Sequence, residues 1–300
     1  VAFEWTGKSP DGETITLHRL RRDHFTFPAY VSPEWEDANR DLIRTAAILD
    51  VETSGLKLET SKIIEIGIRT FRFHRLTGEV LSITGEYSTF QDPGEPLSEE
   101  VKTITGITDE MVRGKSIDWA RVDGMLEVSQ LVIAHNAGFD RPFVEIHSSV
   151  SPGRIWGCSL KQIDWTGKGF PSQKLDLLSI FHGFFTDSHR ALNDVDALLF
   201  LLSRKDRESG DPYLLELLQQ AKKPSFQIFA LSSPFDSKDL LKSRNYRWDS
   251  AARTWWKEID PGELAAETEW LENHVYLGPF RGKTLEISPT DHFKMKTGPS

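Results

Sequence analysis

Cysteine is almost absent from this 300-residue chain: the single Cys158 can form neither an internal disulfide nor a thiolate zinc site. Its apolar setting, IWGCSL, fits a buried structural thiol rather than a nucleophile. Long hydrophobic runs are also missing, and none approaches the roughly 18 to 20 residues needed to cross a bilayer. No membrane partner is expected. The opening VAFEWTGKSPDGE carries neither the basic nor the apolar region of a secretory signal, so the expected location is cytoplasmic. Positive charge is short as well, the net charge being −9, which by itself argues against nonspecific affinity for phosphates. The deficit is uneven. Residues 238–257 hold six basic and two acidic side chains, +4, and leave the remainder at −13. Carboxylates that hold divalent cations also count as negative here and are neutralised in a working protein.

What is present fits a globular chain of one moderate domain plus an accessory module: 38% hydrophobic and 27% charged residues, with no internal repeat. The first 44 residues, with Arg19, Arg21, Arg22 and the FTFPAYVSPEW stretch, show no sustained periodicity and predict an extension that packs on the main domain or is partly disordered. From Thr45, AAILDVE, KIIEIGIRTFRF and residues 80–90 predict an antiparallel meander. A short helix from Leu97, a turn at 105–108 and amphipathic segments lead to a strand at LVIAHN, a helix from Gly138 to about His147, and a strand at IWGCSL. Helices over 174–183 and 190–204 close the unit, so strands followed by alternating strands and helices predict a mixed α/β sheet over 45–208. A connecting helix is expected within 209–225. A smaller α+β module is expected over 226–278 and a loosely held polar tail over 279–300.

Three stretches carry chemistry. The apolar run AAILDVE ends on Asp50 and Glu52, AHNAGFDRPF places Asp140 at the start of a helix, and SHRALNDVDALLFLL places His189 before a helix with Asp194 in its first turns. Ala191, Val195, Leu198, Leu199 and Leu202 recur at helical spacing. Asp194 borders that stripe, whereas Asp196 lies about 200° further round and should face elsewhere. Taken singly, a D-x-E at a strand end suits a solvated terminus and Asp140 suits a helix cap. Four carboxylates together would repel, at about 4 kcal/mol for two charges 4 Å apart at an effective dielectric near 20. Cations must offset that repulsion, and an all-carboxylate set selects two Mg²⁺ or Mn²⁺ ions. Gly114-Lys115-Ser116 superficially matches the end of a phosphate-binding loop, but the required first glycine falls on Asp109.

D-V-E-T-S-G-L, H-N-A-G-F-D and H-R-A-L-N-D, in that order, together with Ile104-Thr105-Gly106-Ile107-Thr108, resemble the motifs of the DEDDh exonucleases, the group similar to the epsilon subunit of bacterial DNA polymerase III. The likeness covers residues 45–205. It implies a ribonuclease-H-like fold, a mixed five-stranded sheet flanked by helices, and metal-dependent removal of nucleotides from 3′ ends. Carried onto this chain, Asp50 would bridge two metals, Glu52 and Asp194 would complete one site, and Asp140 would hold the other. His189 would be the general base that takes a proton from the attacking water. Backbone around Thr53, with Leu56, would receive the terminal nucleotide. Asn136 is a further substrate-side candidate, or else orients loop backbone; His135 is left outside the catalytic set. DNA is the favoured partner. A 3′ exoribonuclease is the alternative within the enzyme class, and a non-catalytic end-binding or replisome adaptor protein the alternative outside it.

Near the C-terminus, Lys242, Arg244, Arg247 and Arg253 interleave with Tyr246, Trp248, Trp255 and Trp256, the mixture of cations and aromatic planes that suits single-stranded nucleic acid. Lys242, Arg244, Arg247, Trp248, Arg253 and Trp255 are the candidate accessory contacts; the alternative is a small domain that uses tryptophan as core. The stretch is similar to a small module that accompanies primases and nucleases, K-x-x-G-x-R-W-x(n)-W, with Asn245 where that pattern has Gly.

Overall fold

The computed structural model describes residues 7–28 and 30–295; positions 1–6 and 29 of the expected extension and 296–300 of the expected tail lie outside the described residues. Two compact units divide the chain, 1–221 and 222–300. Among the described residues no helix is long and apolar enough to cross a membrane.

The first unit is built on five strands, β1 (Ile43–Thr53), β2 (Ile63–His74), β3 (Val80–Phe90), β4 (Leu131–Ala134) and β5 (Ile155–Cys158). Their order is β3-β2-β1-β4-β5. The first three pair antiparallel, as the meander predicted, and β1, β4 and β5 run parallel. This is the mixed five-stranded sheet expected. Five helices matter for the site: α1 (Trp119–Glu127), α2 (Ala137–Glu145), α3 (Leu175–Phe181), α4 (Ala191–Ser203) and α5 (Tyr213–Gln220).

Strand side chains alternate between faces, so Ala46, Ile48, Asp50 and Glu52 project to one side of β1. The first two are fully buried in a cluster with Val195, Leu198, Leu199 and Leu202 of α4, all five residues of whose predicted stripe are buried. Each such side chain removed from water contributes about 1.5 to 3 kcal/mol. That packing fixes α4 against the very strand that ends in carboxylates. The helix expected as a connector is instead part of this core: Leu214, Leu217 and Leu218 of α5 lie in the same cluster. In the expected extension, His18–Arg19 forms a short parallel pair with Phe184–Phe185, and Leu20 and Phe25 pack on the core. Cys158 is fully buried, and burial pushes its thiol up to about 11.

The second unit is a four-stranded antiparallel sheet of β6 (Ser225–Ala230), β7 (Arg247–Asp249), β8 (Thr254–Ile259) and β9 (Lys283–Ile287), in the order β7-β8-β6-β9. It carries α6 (Lys238–Ser243) and α7 (Leu264–Leu271). Ile228, Ala230, Leu241, Tyr246, Ile259, Leu271, Val275 and Tyr276 form its core. Residues 283–287, expected in a loose tail, supply an edge strand. Four of its five side chains are exposed, and with only Leu285 and Ile287 apolar its alternation is too short to stand out from a polar tail.

Candidate active site

Beyond Ile48, β1 has no further register with β4, which pairs with it only over Ala46–Ile48. The backbone N–H of Val51 therefore needs another acceptor, and Asp140 supplies it, Oδ1 accepting at 3.1 Å. Asp140 sits in the first turn of α2 and is 3% exposed. A bulge between Glu52 and Thr53 ends the regular ladder with β2. Thr53 then turns its hydroxyl to the Gly55 carbonyl at 2.7 Å, and Leu56 stands 85% exposed beside the turn.

The third segment approaches from α4. His189 lies in the left-handed backbone region, φ 63°, and its N–H donates to Asp194 Oδ2 at 3.0 Å. This bond curls the segment back so that the histidine and the aspartate face the same place. Ligand atoms of Glu52, His189 and Asp194 all lie within 4.8 Å of one another. Asp196 faces away, as its helical position predicted, and pairs with the buried Arg69 of β2.

Burial and mutual repulsion act together on the carboxylates. Asp50 is pushed well above the usual carboxylate range by burial and by the charges of Asp140, Asp194 and Glu52. Glu52 is pushed up to about 8, chiefly by burial and then by Asp194. Burial raises Asp140 to about 7 and Asp194 to about 6. None of the four makes an ion pair among the described residues. An oxygen-rich donor set of hard carboxylates, charged at neutral pH only at a cost, fits divalent cations such as Mg²⁺ or Mn²⁺.

Two features escaped the sequence reading. Glu65, opposite Glu52 in the β1–β2 ladder and 2% exposed, accepts from the Arg190 guanidinium at 3.1 to 3.3 Å and from the Ala191 N–H at 3.2 Å. It thus supplies, from a strand, the N-terminal acceptor that α4 lacks from its own cap residue, Arg190. Gly67, opposite Asp50, lets α4 come close: a Cβ there would stand 2.6 Å from Ala191 C and Leu192 N. Only pairing partners across the sheet reveal either role, and local patterning carries no signal for them.

The remaining candidates divide. Asn136 is exposed at the start of α2, with no side-chain cap bond. His135 is held by Ser159 Oγ at 2.8 Å and the Gln173 carbonyl at 2.9 Å, and burial lowers it to about 4. In the second unit, Lys242, Arg247, Trp248 and Arg253 are exposed, while Trp255 packs against the core. Arg244 is engaged inward, pairing with the buried Glu267 at 3.0 Å and lying over the Trp270 ring at 4.5 Å. Asn245 adopts φ 66°, the left-handed conformation that Gly serves in the related pattern and that Asn tolerates.

A mixed five-stranded sheet whose central strand ends in carboxylates, with further carboxylates arriving from two helices, defines the ribonuclease-H-like exonuclease class. The family model described as Exonuclease, of the RNase T type, matches residues 47–202, and the chain belongs to this family. It is similar to the PolC-type DNA polymerase III of Listeria innocua, 27% identical over 180 residues, covering 57% of this chain and 12% of the polymerase. The PolC-type enzyme of Thermotoga maritima is 32% identical over 151 residues, covering 47% and 10%. The chain therefore spans about a tenth of the length of these relatives. Similar solved structures include E. coli Exonuclease I in complex with a dA16 oligonucleotide, with TM-score 0.44, 17% identity, and coverage of 61% of this chain and 48% of that one. Exonuclease X in complex with 5′ overhanging duplex DNA has TM-score 0.39 and 23% identity, covering 57% and 99%.

Proposed function

We propose that this protein is a divalent-metal-dependent 3′ to 5′ exonuclease that removes nucleotides from DNA ends. The observation that carries the reading is the convergence of Asp50, Glu52, Asp140 and Asp194, from three separate segments, at one end of the sheet with no ion-pair partner among the described residues. Asp50, Glu52, Asp140 and Asp194 would hold two Mg²⁺ or Mn²⁺ ions, which when bound neutralise the carboxylates and act as Lewis acids on phosphodiester oxygens.

The chain's own groups do the rest. His189, at the exposed rim with a ring nitrogen near the Glu52 and Asp194 oxygens, accepts the proton of the attacking water at that nitrogen. The bond from its N–H to Asp194 keeps base and carboxylate in fixed relation. The exposed Leu56 and the backbone at Thr53 form a ledge for the terminal base. Digestion of single-stranded DNA, duplex DNA and RNA of matched sequence, labelled at either end, tests the reading. With Mg²⁺, nucleotides should be released from 3′-labelled DNA and a descending ladder should form from 5′-labelled DNA. EDTA should stop both. Internal cuts or metal-independent release would overturn it, and faster digestion of RNA would move the substrate class.

A further inference from the structure

The β7–β8 hairpin of the second unit has the build of a docking surface. Trp248 and Trp255 stand directly opposite each other across the hairpin, ring centroids 5.5 Å apart. They are not equivalent: Trp255 is anchored on the core of Ile228, Ala230, Leu241 and Tyr246, whereas Trp248, on the edge strand, is 51% exposed. A large ring backed by a second ring and open on its outer side is a rigid platform. Arg247 in β7, Arg253 in the hairpin turn and Lys242 near the end of α6 are exposed, and their side chains make no ion pair or hydrogen bond among the described residues. The other cations of this stretch are engaged: Arg244 and Lys257 meet Glu267, and Lys238 lies over Phe235 at 4.4 Å. The hairpin's own carboxylate is also occupied, Asp249 Oδ1 accepting from the Ala251 and Ala252 N–H groups at 2.9 Å. That turn fixes Arg253, which sits at φ 49°.

We propose that this edge of the sheet binds single-stranded DNA, one base stacking on Trp248 while Arg253 and Lys242 meet phosphates and Arg247, on the opposite face of β7, meets the backbone where it rounds the edge strand. Unpaired bases are required because only they expose a face to the ring, and three cations without ion-pair partners among the described residues, in a 238–257 segment of net charge +4, are complementary to a polyanion. The proposal rests on the exonuclease reading for its choice of DNA and deepens it: the second unit retains the strand that the first shortens.

The test uses the full chain and fluorescence anisotropy in EDTA, with a short and a several-fold longer labelled oligothymidylate and a blunt duplex. Trp248→Ala should weaken binding of the long strand by about 5- to 150-fold, the worth of one stacked base, without changing the salt slope. Trp248→Phe should restore most of it. Arg247→Ala with Arg253→Ala should lower the slope of log affinity against log salt by about 1.4, at about 0.7 per lost phosphate contact. Affinity for the short strand and the duplex should stay as in the parent. Long-strand affinity unchanged in Trp248→Ala, an unchanged slope in the double variant, or equal losses on duplex would overturn the proposal and leave the hairpin to a protein partner. Binding is read without metal and hydrolysis with it, so this surface and the exonuclease assignment can fail separately.

Discussion

The two units treat buried carboxylates in opposite ways. In the second, Glu267 is 4% exposed and is met by Arg244 at 3.0 Å and Lys257 at 3.3 Å, so its charge is balanced within the chain. In the first, Asp50, Glu52, Asp140 and Asp194 converge with no such ion pair among the described residues, and burial raises all four. Glu65 separates the two cases within a few ångströms of backbone: it is as buried as Asp140, faces Glu52 across the ladder, and yet has Arg190. A carboxylate that braces the fold comes with its own cation; the four without one among the described residues are the set we propose for a divalent cation.

The largest break in this contrast is the removal of one unpaired charge. Asp50→Asn or Asp140→Asn should abolish hydrolysis, because the amide keeps the volume and loses the charge that holds metal. The same variants should melt no lower than the parent in EDTA, since repulsion has been relieved. Residual near-parent digestion in Mg²⁺ would refute the ligand set. Next in size, His189→Ala should slow hydrolysis by about 10²- to 10⁴-fold while leaving Mg²⁺-induced stabilisation in place, checked by single-turnover kinetics and thermal melts.

Glu65→Ala tests the braced carboxylate beside the site. It should lower kcat by about 10- to 100-fold with KM unchanged, the usual cost of losing a group that orients a ligand. Glu65→Gln, whose amide oxygen can still accept from Ala191, should recover part of it. A loss seen only in KM would argue against positioning.

Acidity gives a smaller effect of defined sign. The raised carboxylates bind protons more readily folded than unfolded, so their contribution is full below the unfolded values near 4 and is lost as pH rises through about 6 for Asp194, 7 for Asp140 and 8 for Glu52. In EDTA the melting temperature should fall by several degrees between about pH 5 and pH 9, at about 2 to 4 °C per kcal/mol, and Mg²⁺ should reverse the fall. A flat profile would contradict the crowding of charge. Smallest for function is Glu267→Gln: loss of about 1.5 to 3 kcal/mol from the second unit, read by denaturant melts, with digestion of short DNA unaltered.

Legibility in the sequence follows the range of the interaction. Asp50, Glu52, Asp140, His189 and Asp194 are each announced by a few adjacent residues, and the periodicity of α4 separates Asp194 from Asp196 without any coordinates. The mixed sheet was legible for the same reason, its strands being apolar and bounded by turns. Glu65 and Gly67 were not, because each acts through a partner more than 120 residues away in the chain. Arg244 reads as one more surface cation until Glu267, 23 residues on, is seen beneath it. The edge strand at 283–287 was missed because its two apolar residues, Leu285 and Ile287, are too few to mark a strand, and its partner lies some 58 residues back at Ser225–Phe229.

Strand β2 contributes none of the four carboxylates that lack an ion pair, yet it sets where one of them, Asp194, and its neighbour His189 stand. Gly67 lets the first turn of α4 descend onto the sheet, and Glu65, two residues earlier on the same strand, grips that turn at Arg190 and Ala191. Height and lateral position are therefore gauged by one strand, as a machinist locates a part against a datum edge and a stop. His189 and Asp194 flank that single turn, so any error in the gauge displaces imidazole and carboxylate together. Tuning one independently of the other by altering β2 is thereby ruled out, and adjustments to the relation between them must come from the 189–194 segment itself.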